Sequence, residues 1–120
     1  MNNRGFGTLG ELKAKEYLEA MGYKWLHSNF RTSLGEIDLI FRDGNELVFV
    51  EVKTARAGVP KEYLYYRVNR EKVSKLHILA QNYIQRSPKS LGTLNPRFDI
   101  LFIESTAENT WNLEHIKGAF

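Results

Sequence analysis

Residues 35–53, GEIDLIFRDGNELVFVEVK, decide the fold of this chain. Residues 36–41 (EIDLIF) and 47–53 (LVFVEVK) are both rich in residue types that favour β-strands. Asp43-Gly44 lies between these two runs and is a strong signal for a hairpin turn. We therefore predict two antiparallel strands joined by a tight turn.

Three charged residues fall on one face of this predicted hairpin. Side chains alternate along a strand, so Asp38 lies on one face of the first strand while Glu51 and Lys53 share a face of the second. A two-residue turn at Asp43-Gly44 makes Asp38 and Glu51 diagonal neighbours at roughly 7–8 Å, and a four-residue loop sets them directly opposite at about 5 Å. Both registers keep the three side chains together.

Two carboxylates at this spacing repel each other unless a cation lies between them. Their hard oxygen ligands suit Mg²⁺ or Mn²⁺, and the nearby Lys53 could orient a water or offset charge on a phosphate. The alternative is that the acidic residues are scattered over the solvent-exposed face of an antiparallel sheet. Leu47 and Phe49 lie on the same face, which favours a site over a solvent-facing strand.

The same residues carry a resemblance to a known family. Gly35-Glu36-Ile37-Asp38-Leu39-Ile40 followed by Val48-Phe49-Val50-Glu51-Val52-Lys53 resembles the YraN family of small bacterial proteins. That family belongs to the restriction-endonuclease-like, PD-(D/E)xK, nucleases and is similar to the archaeal Holliday-junction resolvases. The resemblance covers residues 5 to 104, and the one departure from the nuclease signature is Ile37 in place of a proline.

The resemblance implies a role for each matching residue. Asp38 and Glu51 would be metal ligands, with the backbone carbonyl of Val52 as a third, and Lys53 would be the catalytic lysine. Glu11, on the predicted first helix, would hold a metal-bound water. We add Glu36 as an auxiliary ligand, and the predicted catalytic set is Glu11, Asp38, Glu51 and Lys53.

Glu11 and Lys72 each have a competing structural interpretation. Thr8-Leu9-Gly10-Glu11 fits a capping box, in which Glu11 would satisfy the first amide of its own helix. Lys72 is predicted in the first turn of a helix, where a cation opposes the helix dipole. This position suggests an anionic partner, either a phosphate or a site carboxylate, and the alternative is a lysine that snorkels at the rim of the core.

Positive charge is concentrated next to the predicted site. Residues 53–75 contain seven basic and two acidic side chains, a net charge of +5 against +3 for the whole chain. Such a cluster favours nucleic-acid phosphates as a partner, and a solvated loop is the alternative. The six predicted nucleic-acid contacts are Arg56, Lys61, Arg67, Arg70, Lys72 and Lys75.

The rest of the pattern predicts an α/β domain with a mixed central sheet flanked by helices, in the order αβββαβ plus a last strand. Residues 8–21 form an amphipathic helix with Leu9, Leu12, Leu18 and Met21 near one face, and residues 69–86 form the second helix. Strands are predicted at 23–30, 36–41, 47–53, 97–103 and 111–116. The N-terminal residues and the loop 54–67 are predicted to be mobile.

Composition places the chain among compact intracellular proteins. Its 120 residues, 42% of them hydrophobic, predict a single domain with its own core. Cysteine is absent from the sequence, which excludes disulfides and thiolate metal sites. We expect a cytoplasmic protein, because there is no apolar run typical of a signal peptide or membrane span. No glycine-rich loop predicts a nucleotide cofactor.

These observations predict a Mg²⁺- or Mn²⁺-dependent nuclease that hydrolyses DNA phosphodiester bonds, with branched or junction DNA as the substrate. Symmetric cutting of a junction would require a homodimer. Two alternatives stay open. The chain could be a nucleic-acid-binding module that keeps the fold without catalysis, or a scaffold whose basic loop binds an acidic protein.

Overall fold

The computed structural model describes residues 3–56, 58, 70–106 and 110–120, with side chains from residue 8 onwards in the first range and from residue 72 onwards in the third. Two helices and five strands make up this part of the chain, with a short 3-10 turn at Leu91–Thr93. In chain order the elements are α1 (Asn3–Ala20), β1 (Lys24–Thr32), β2 (Gly35–Asp43), β3 (Glu46–Arg56), α2 (Arg70–Arg86), β4 (Asn95–Ser105) and β5 (Trp111–Ile116).

The five strands form one mixed sheet in the order β1-β2-β3-β4-β5. Three of the four neighbouring pairs are antiparallel, and β3 pairs with β4 in parallel. A parallel pair needs a crossover connection, and α2 lies in the segment that provides it. The predicted mixed α/β fold, in the order αβββαβ plus a last strand, is therefore confirmed.

The two helices cover opposite faces of the sheet. Ala14 and Leu18 of α1 pack against one face, in a cluster that includes Leu39, Phe41 and Val50. Leu76, Leu79, Ala80 and Tyr83 of α2 pack against the other face, with Ile37, Ile40, Leu47 and Phe49. Ile37 and Leu39 are two residues apart yet belong to opposite faces, so the regular alternation of β2 breaks at the residue between them, Asp38.

The hairpin between β2 and β3 has the second of the two predicted registers. Asp43 pairs with Glu46 and Leu39 pairs with Val50, which sets Asp38 level with Glu51. The predicted turn at Asp43-Gly44 is wrong by one residue, because the two residues that connect the strands are Gly44 and Asn45. Gly44 has φ +60°, a conformation that glycine adopts without a steric penalty.

Helix α1 departs from its prediction at its start and on its buried face. It begins at Asn3, so Thr8 lies inside the helix and the predicted capping box is wrong. Leu12 and Met21 are 52% and 44% exposed, although the pattern predicts them near the apolar face. Leu18 is buried as predicted, together with Ala14, because the helix approaches β3 at Gly10, where a Cβ atom would overlap the side chain of Thr54.

Strand β3 runs further than predicted. Its last residues, Thr54–Arg56, pair with Ile103–Ser105 of β4, so this part of the predicted loop 54–67 is strand. The rest of that loop, apart from Gly58, lies outside the described residues. Strand β5 forms an edge of the sheet at the predicted residues, Trp111–Ile116. Neither described helix combines the length and the apolar character that a membrane span requires.

Arg97 and Asp99 of β4 hold a polar network at the hairpin-turn end of the sheet. Asp99 is fully buried and receives two hydrogen bonds from Arg97, at 2.9 and 3.0 Å, and one from the backbone N–H of Gly118 at 3.0 Å. His115 Nε2 lies 2.7 Å from Asp99. Arg97 also donates to Asp43, Glu46 and Tyr23. These contacts fix the end of the sheet at β4.

Candidate metal centre

The candidate site lies where β2 and β3 separate. Their described pairing ends at Leu39 and Val50, and Asp38 and Glu51 occupy the next position. At this position a side chain, not a backbone carbonyl, links the two strands: Asp38 Oδ2 accepts a hydrogen bond from Val52 N–H at 2.8 Å. The side chain of Asp38 is thereby fixed between the two strands. The predicted metal-binding role of the Val52 carbonyl stays a prediction.

A second carboxylate reaches the site from α1. Glu11 follows Gly10, and the close approach of the helix to Thr54 at Gly10 brings Glu11 over the start of β2. Glu11, Glu36 and Asp38 each offer an oxygen within 4.8 Å of the others, and all three are half-buried. The predicted auxiliary residue Glu36 therefore lies, like Glu11, with a carboxylate oxygen within 4.8 Å of one of Asp38.

The carboxylates of Asp38 and Glu11 lie in surroundings that oppose their negative charge. Burial, followed by the charge of Glu51, raises the pKa of Asp38 from 3.8 to about 8. Burial and the charge of Glu36 also raise the pKa of Glu11. Among the described residues, no ion pair joins a cation to either carboxylate. Glu36 is paired with Arg31, whose Nε lies 2.8 Å from its Oε2, so Asp38 and Glu11 are the site carboxylates without an ion pair in the described part of the chain.

Glu51 is held differently, by two ammonium groups. Its side chain is only 8% exposed, and its Oε1 lies 3.0 Å from Lys53 Nζ and 2.6 Å from Lys72 Nζ. Burial lowers the pKa of Lys53, and this effect outweighs the opposing effect of Glu51. Of the two predicted anionic partners of Lys72, the structure supplies the site carboxylate. Lys53 and Glu51 share a face of β3, as the alternation of side chains predicts.

The donor set fits a hard divalent cation. Mg²⁺ and Mn²⁺ prefer carboxylate oxygens and water, and they take few protein ligands while keeping several waters. Glu11 of α1 and Glu36 and Asp38 of β2 supply oxygens of this kind, and each keeps some contact with solvent. Both lysines contact Oε1 of Glu51, so Oε2 is the oxygen that Glu51 would offer to the cation.

Asn29 is the residue at this site that sequence reasoning missed. It lies in β1 with φ +55°, and its amide group faces Glu11 and Glu36. With Nδ2 turned toward the carboxylates, it donates to Glu11 Oε2 at 3.2 Å and to Glu36 Oε1 at 2.5 Å. Two weak signals exist in the sequence: Asn29-Phe30-Arg31 is among the segments that resemble the family, and asparagine tolerates left-handed backbone better than most residues.

The predicted nucleic-acid contacts are only partly within the described structure. Lys72 is half-buried at Glu51, Arg56 is exposed at the end of β3, and Lys75 is exposed on α2. Lys61 and Arg67 lie outside the described residues, as does the side chain of Arg70. Nucleic-acid binding by this group stays a prediction.

Comparison with known proteins gives one consistent result over almost the whole chain. The family described as "Uncharacterised protein family UPF0102" matches residues 10–103. A curated UPF0102 protein from Caldicellulosiruptor saccharolyticus is similar, with 40% identity over 124 residues that span 100% of both chains. UPF0102 proteins from Syntrophus aciditrophicus and Alkaliphilus metalliredigens are 39% identical, covering 95% and 98% of this chain and 87% and 99% of their own.

Proposed function

The chain belongs to the UPF0102 family, the family also called YraN, and from this premise and the carboxylates of the candidate site we propose that it is a divalent-cation-dependent nuclease. Its substrate would be DNA, and branched or junction DNA fits the resemblance to resolvases best. The cation would be Mg²⁺ or Mn²⁺. The five-stranded mixed sheet between two helices is consistent with a restriction-endonuclease-like core.

One observation carries this proposal. Asp38 is a half-buried carboxyl whose pKa is raised to about 8, with Glu11 and Glu36 within reach of the same point. A group in such surroundings loses its charge unless a cation compensates for it, and perturbed carboxyls of this kind concentrate at functional sites. A divalent cation would supply that compensation.

The proposed reaction is hydrolysis of a phosphodiester. A water oxygen bonds to phosphorus, the bond from phosphorus to one ester oxygen breaks, and the departing oxygen takes up a proton. A bound Mg²⁺ or Mn²⁺ would supply Lewis acidity that polarises the phosphate and activates the water. Asp38 and Glu51 would hold the cation with Glu36 as an auxiliary ligand, Glu11 would hold a metal-bound water, and the Lys53 ammonium would face the charge that develops on the phosphate oxygens.

The test is cleavage of end-labelled DNA by the purified protein. Junction, flap, single-stranded and duplex substrates would each be incubated with Mg²⁺, Mn²⁺ or EDTA. We expect cutting with either metal, none in EDTA, and a loss of at least about 100-fold in Lys53→Ala, the range for removal of one group that stabilises a transition state. Lys89→Ala removes the same charge at an exposed position away from the site and serves as the matched control.

Three outcomes decide whether the proposed nuclease stands. Cutting that requires metal and that Lys53→Ala lacks, while Lys89→Ala retains it, supports the nuclease. Cutting that Lys53→Ala retains would point to a contaminating enzyme and leave the proposal without support. Absence of cutting on every substrate in both metals would contradict the proposal.

A second candidate function is a nucleic-acid-binding module without catalysis. The ion pairs of Glu51 favour it, because Lys53 and Lys72 already neutralise a carboxylate that a metal would otherwise bind. This function predicts DNA binding in EDTA that Lys53→Ala does not alter. Measuring DNA affinity by fluorescence anisotropy, with and without metal, distinguishes it from the nuclease.

A further inference from the structure

We infer that Asn29 is a positioning residue, which holds Glu11 of α1 and Glu36 of β2 in the arrangement that binds the cation. The inference rests on the proposed function, because it assigns Asn29 a role toward the same cation. Asn29 does not touch the reacting atoms in this account. It acts through the two carboxylates that its amide contacts.

The backbone at Asn29 is unusual for a strand. Its φ is +55°, and among the described residues it is the only residue other than glycine with a positive φ. The pairs on either side, Ser28 with Leu39 and Phe30 with Ile37, are regular partners in the β1–β2 ladder. The distortion is therefore confined to the position level with Asp38, where β2 also loses its alternation of faces.

Backbone shape alone does not account for the asparagine. Glycine would adopt this φ without the steric cost of a Cβ atom. Asn29 is exposed, so no packing of its side chain in the core requires the conformation either. Strained backbone of this kind is retained where the surrounding structure uses it, and here it aims an amide group at two carboxylates.

The chemistry of the amide suits this task. Its two N–H groups can each donate to one carboxylate, which ties together two groups of like charge from different elements. The amide carries no charge, so it orders Glu11 and Glu36 without neutralising them. Arg31 already pairs with Glu36, its Nε 2.8 Å from Oε2, so a lysine or arginine at position 29 would add a second cation and neutralise Glu11 as well, as Lys53 and Lys72 do at Glu51.

The test is the Mn²⁺ affinity of the full-length protein, measured by isothermal titration calorimetry without DNA. Asn29→Gly keeps the backbone conformation and removes the amide, so we expect the affinity to fall about 10- to 100-fold, the range for residues that orient metal ligands. The midpoint of thermal unfolding in EDTA should stay unchanged. Asn112→Gly makes the same substitution at an exposed position of β5 and should leave the affinity unchanged.

A second variant tests the placement of the side chain without a metal. Asn29→Asp keeps the shape of asparagine and adds a carboxylate, so it should lower the unfolding midpoint in EDTA at about pH 8, and Mn²⁺ should restore it. If Asn29→Asp is as stable as the natural protein under these conditions, the side chain does not face the carboxylates and the inference is wrong.

The outcomes distinguish this inference from the proposed function. Equal Mn²⁺ affinity in the natural protein and Asn29→Gly would overturn the role of Asn29 and leave the nuclease intact. Failure of the natural protein to bind Mn²⁺ would overturn the cation site, and the role of Asn29 with it. A lower affinity accompanied by an equal loss of stability in EDTA would assign Asn29 a purely structural role.

Discussion

Asp38 connects the fold to the candidate site at the scale of a single residue. Its Oδ2 accepts a hydrogen bond from Val52 N–H just beyond the last β2–β3 backbone pair, and the same carboxylate faces Glu11 and Glu36. Burial is the main reason why its pKa rises from 3.8 to about 8 in the folded chain. A carboxyl with a raised pKa stabilises the fold in its neutral form. That contribution is complete below about pH 4 and is lost as the pH rises to about 8.

Asp38→Asn should therefore stabilise the metal-free protein at neutral and alkaline pH. The amide is neutral at every pH, and its oxygen can still accept the Val52 N–H. In EDTA, the unfolding midpoint of the natural protein should fall between about pH 5 and about pH 9, and that of Asp38→Asn should fall less. Thermal unfolding followed by circular dichroism across this range measures the difference.

Adding Mn²⁺ gives the matching control for Asp38. The metal should raise the unfolding midpoint of the natural protein and have little effect on Asp38→Asn, because a cation that binds only the folded state stabilises it. Glu104→Gln removes a carboxylate from β4 and should behave as the natural protein does. Equal pH profiles for Asp38→Asn and the natural protein would contradict the raised pKa.

The residues of the site differ in how far the sequence could predict them. The alternation of side chains predicts that Glu51 and Lys53 share a face of β3, and the hairpin register sets Asp38 level with Glu51, although the alternation of β2 itself breaks at Asp38. Glu11 required the family resemblance, because its contact with β2 depends on how a helix docks on the sheet. Asn29 could not be predicted, since one left-handed residue inside a strand depends on the tertiary contacts around it.

At the scale of elements, the docking of α1 on β3 positions the site. The helix comes so close at Gly10 that a Cβ atom there would lie 2.9 Å from Thr54 Cγ2 and closer still to its Oγ1. Gly10→Ala should destabilise the fold, because about 1–3 kcal/mol of overpacking exceeds the gain of about 1 kcal/mol from a better helix former. Urea unfolding gives the change in free energy.

Removing the Thr54 side-chain atoms that obstruct a Cβ at position 10 should restore the stability lost in Gly10→Ala. Thr54→Ala deletes both the hydroxyl and the methyl group that a Cβ at Gly10 would overlap. A double-mutant cycle should give a favourable coupling energy between the two substitutions, of about 0.5–3 kcal/mol for residues in contact. Additive effects would mean that the helix does not rest on Thr54. The Mn²⁺ affinity of Gly10→Ala should also fall, because Glu11 moves with the helix.

The same contact explains which features of the elements the sequence could not predict. An apolar pattern marks a helix face that can be buried, but the buried face of α1 is set by its small residues, Gly10 and Ala14, which allow the backbone to come close. The prediction that Leu12 lies near the buried face of α1 is therefore wrong. The hairpin pattern is compatible with two pairing registers of β2 and β3, and the turn at Gly44 and Asn45 determines which of them forms.

At the scale of the whole molecule, two polar clusters occupy opposite ends of the β2–β3 hairpin. The candidate site lies where the strands separate, and among the described residues no ion pair compensates the carboxylates of Asp38 and Glu11. At the turn, Arg97 instead satisfies Asp99 and also contacts Asp43 and Glu46. Burial alone would raise the pKa of Asp99, but hydrogen bonds from His115, Arg97 and Gly118 outweigh it and lower the pKa. The two ends therefore make opposite contributions to stability as the pH changes.

Arg97→Met tests whether the two polar clusters are independent of each other. It leaves the buried Asp99 without its main partner, so we expect a loss of about 3–5 kcal/mol, the cost of breaking a buried ion pair. Asp99 stabilises the fold above its ordinary pKa, and this contribution is lost as the pH falls. Without Arg97 the pKa of Asp99 rises, so the loss of stability should be largest near neutral pH and shrink in acid as Asp99 takes up a proton, and urea titrations at several pH values measure both effects. Its Mn²⁺ affinity should be unchanged while it stays folded, because no described contact links Arg97 to Glu11, Glu36 or Asp38. A lower affinity would mean that the turn end of the hairpin also holds the site together.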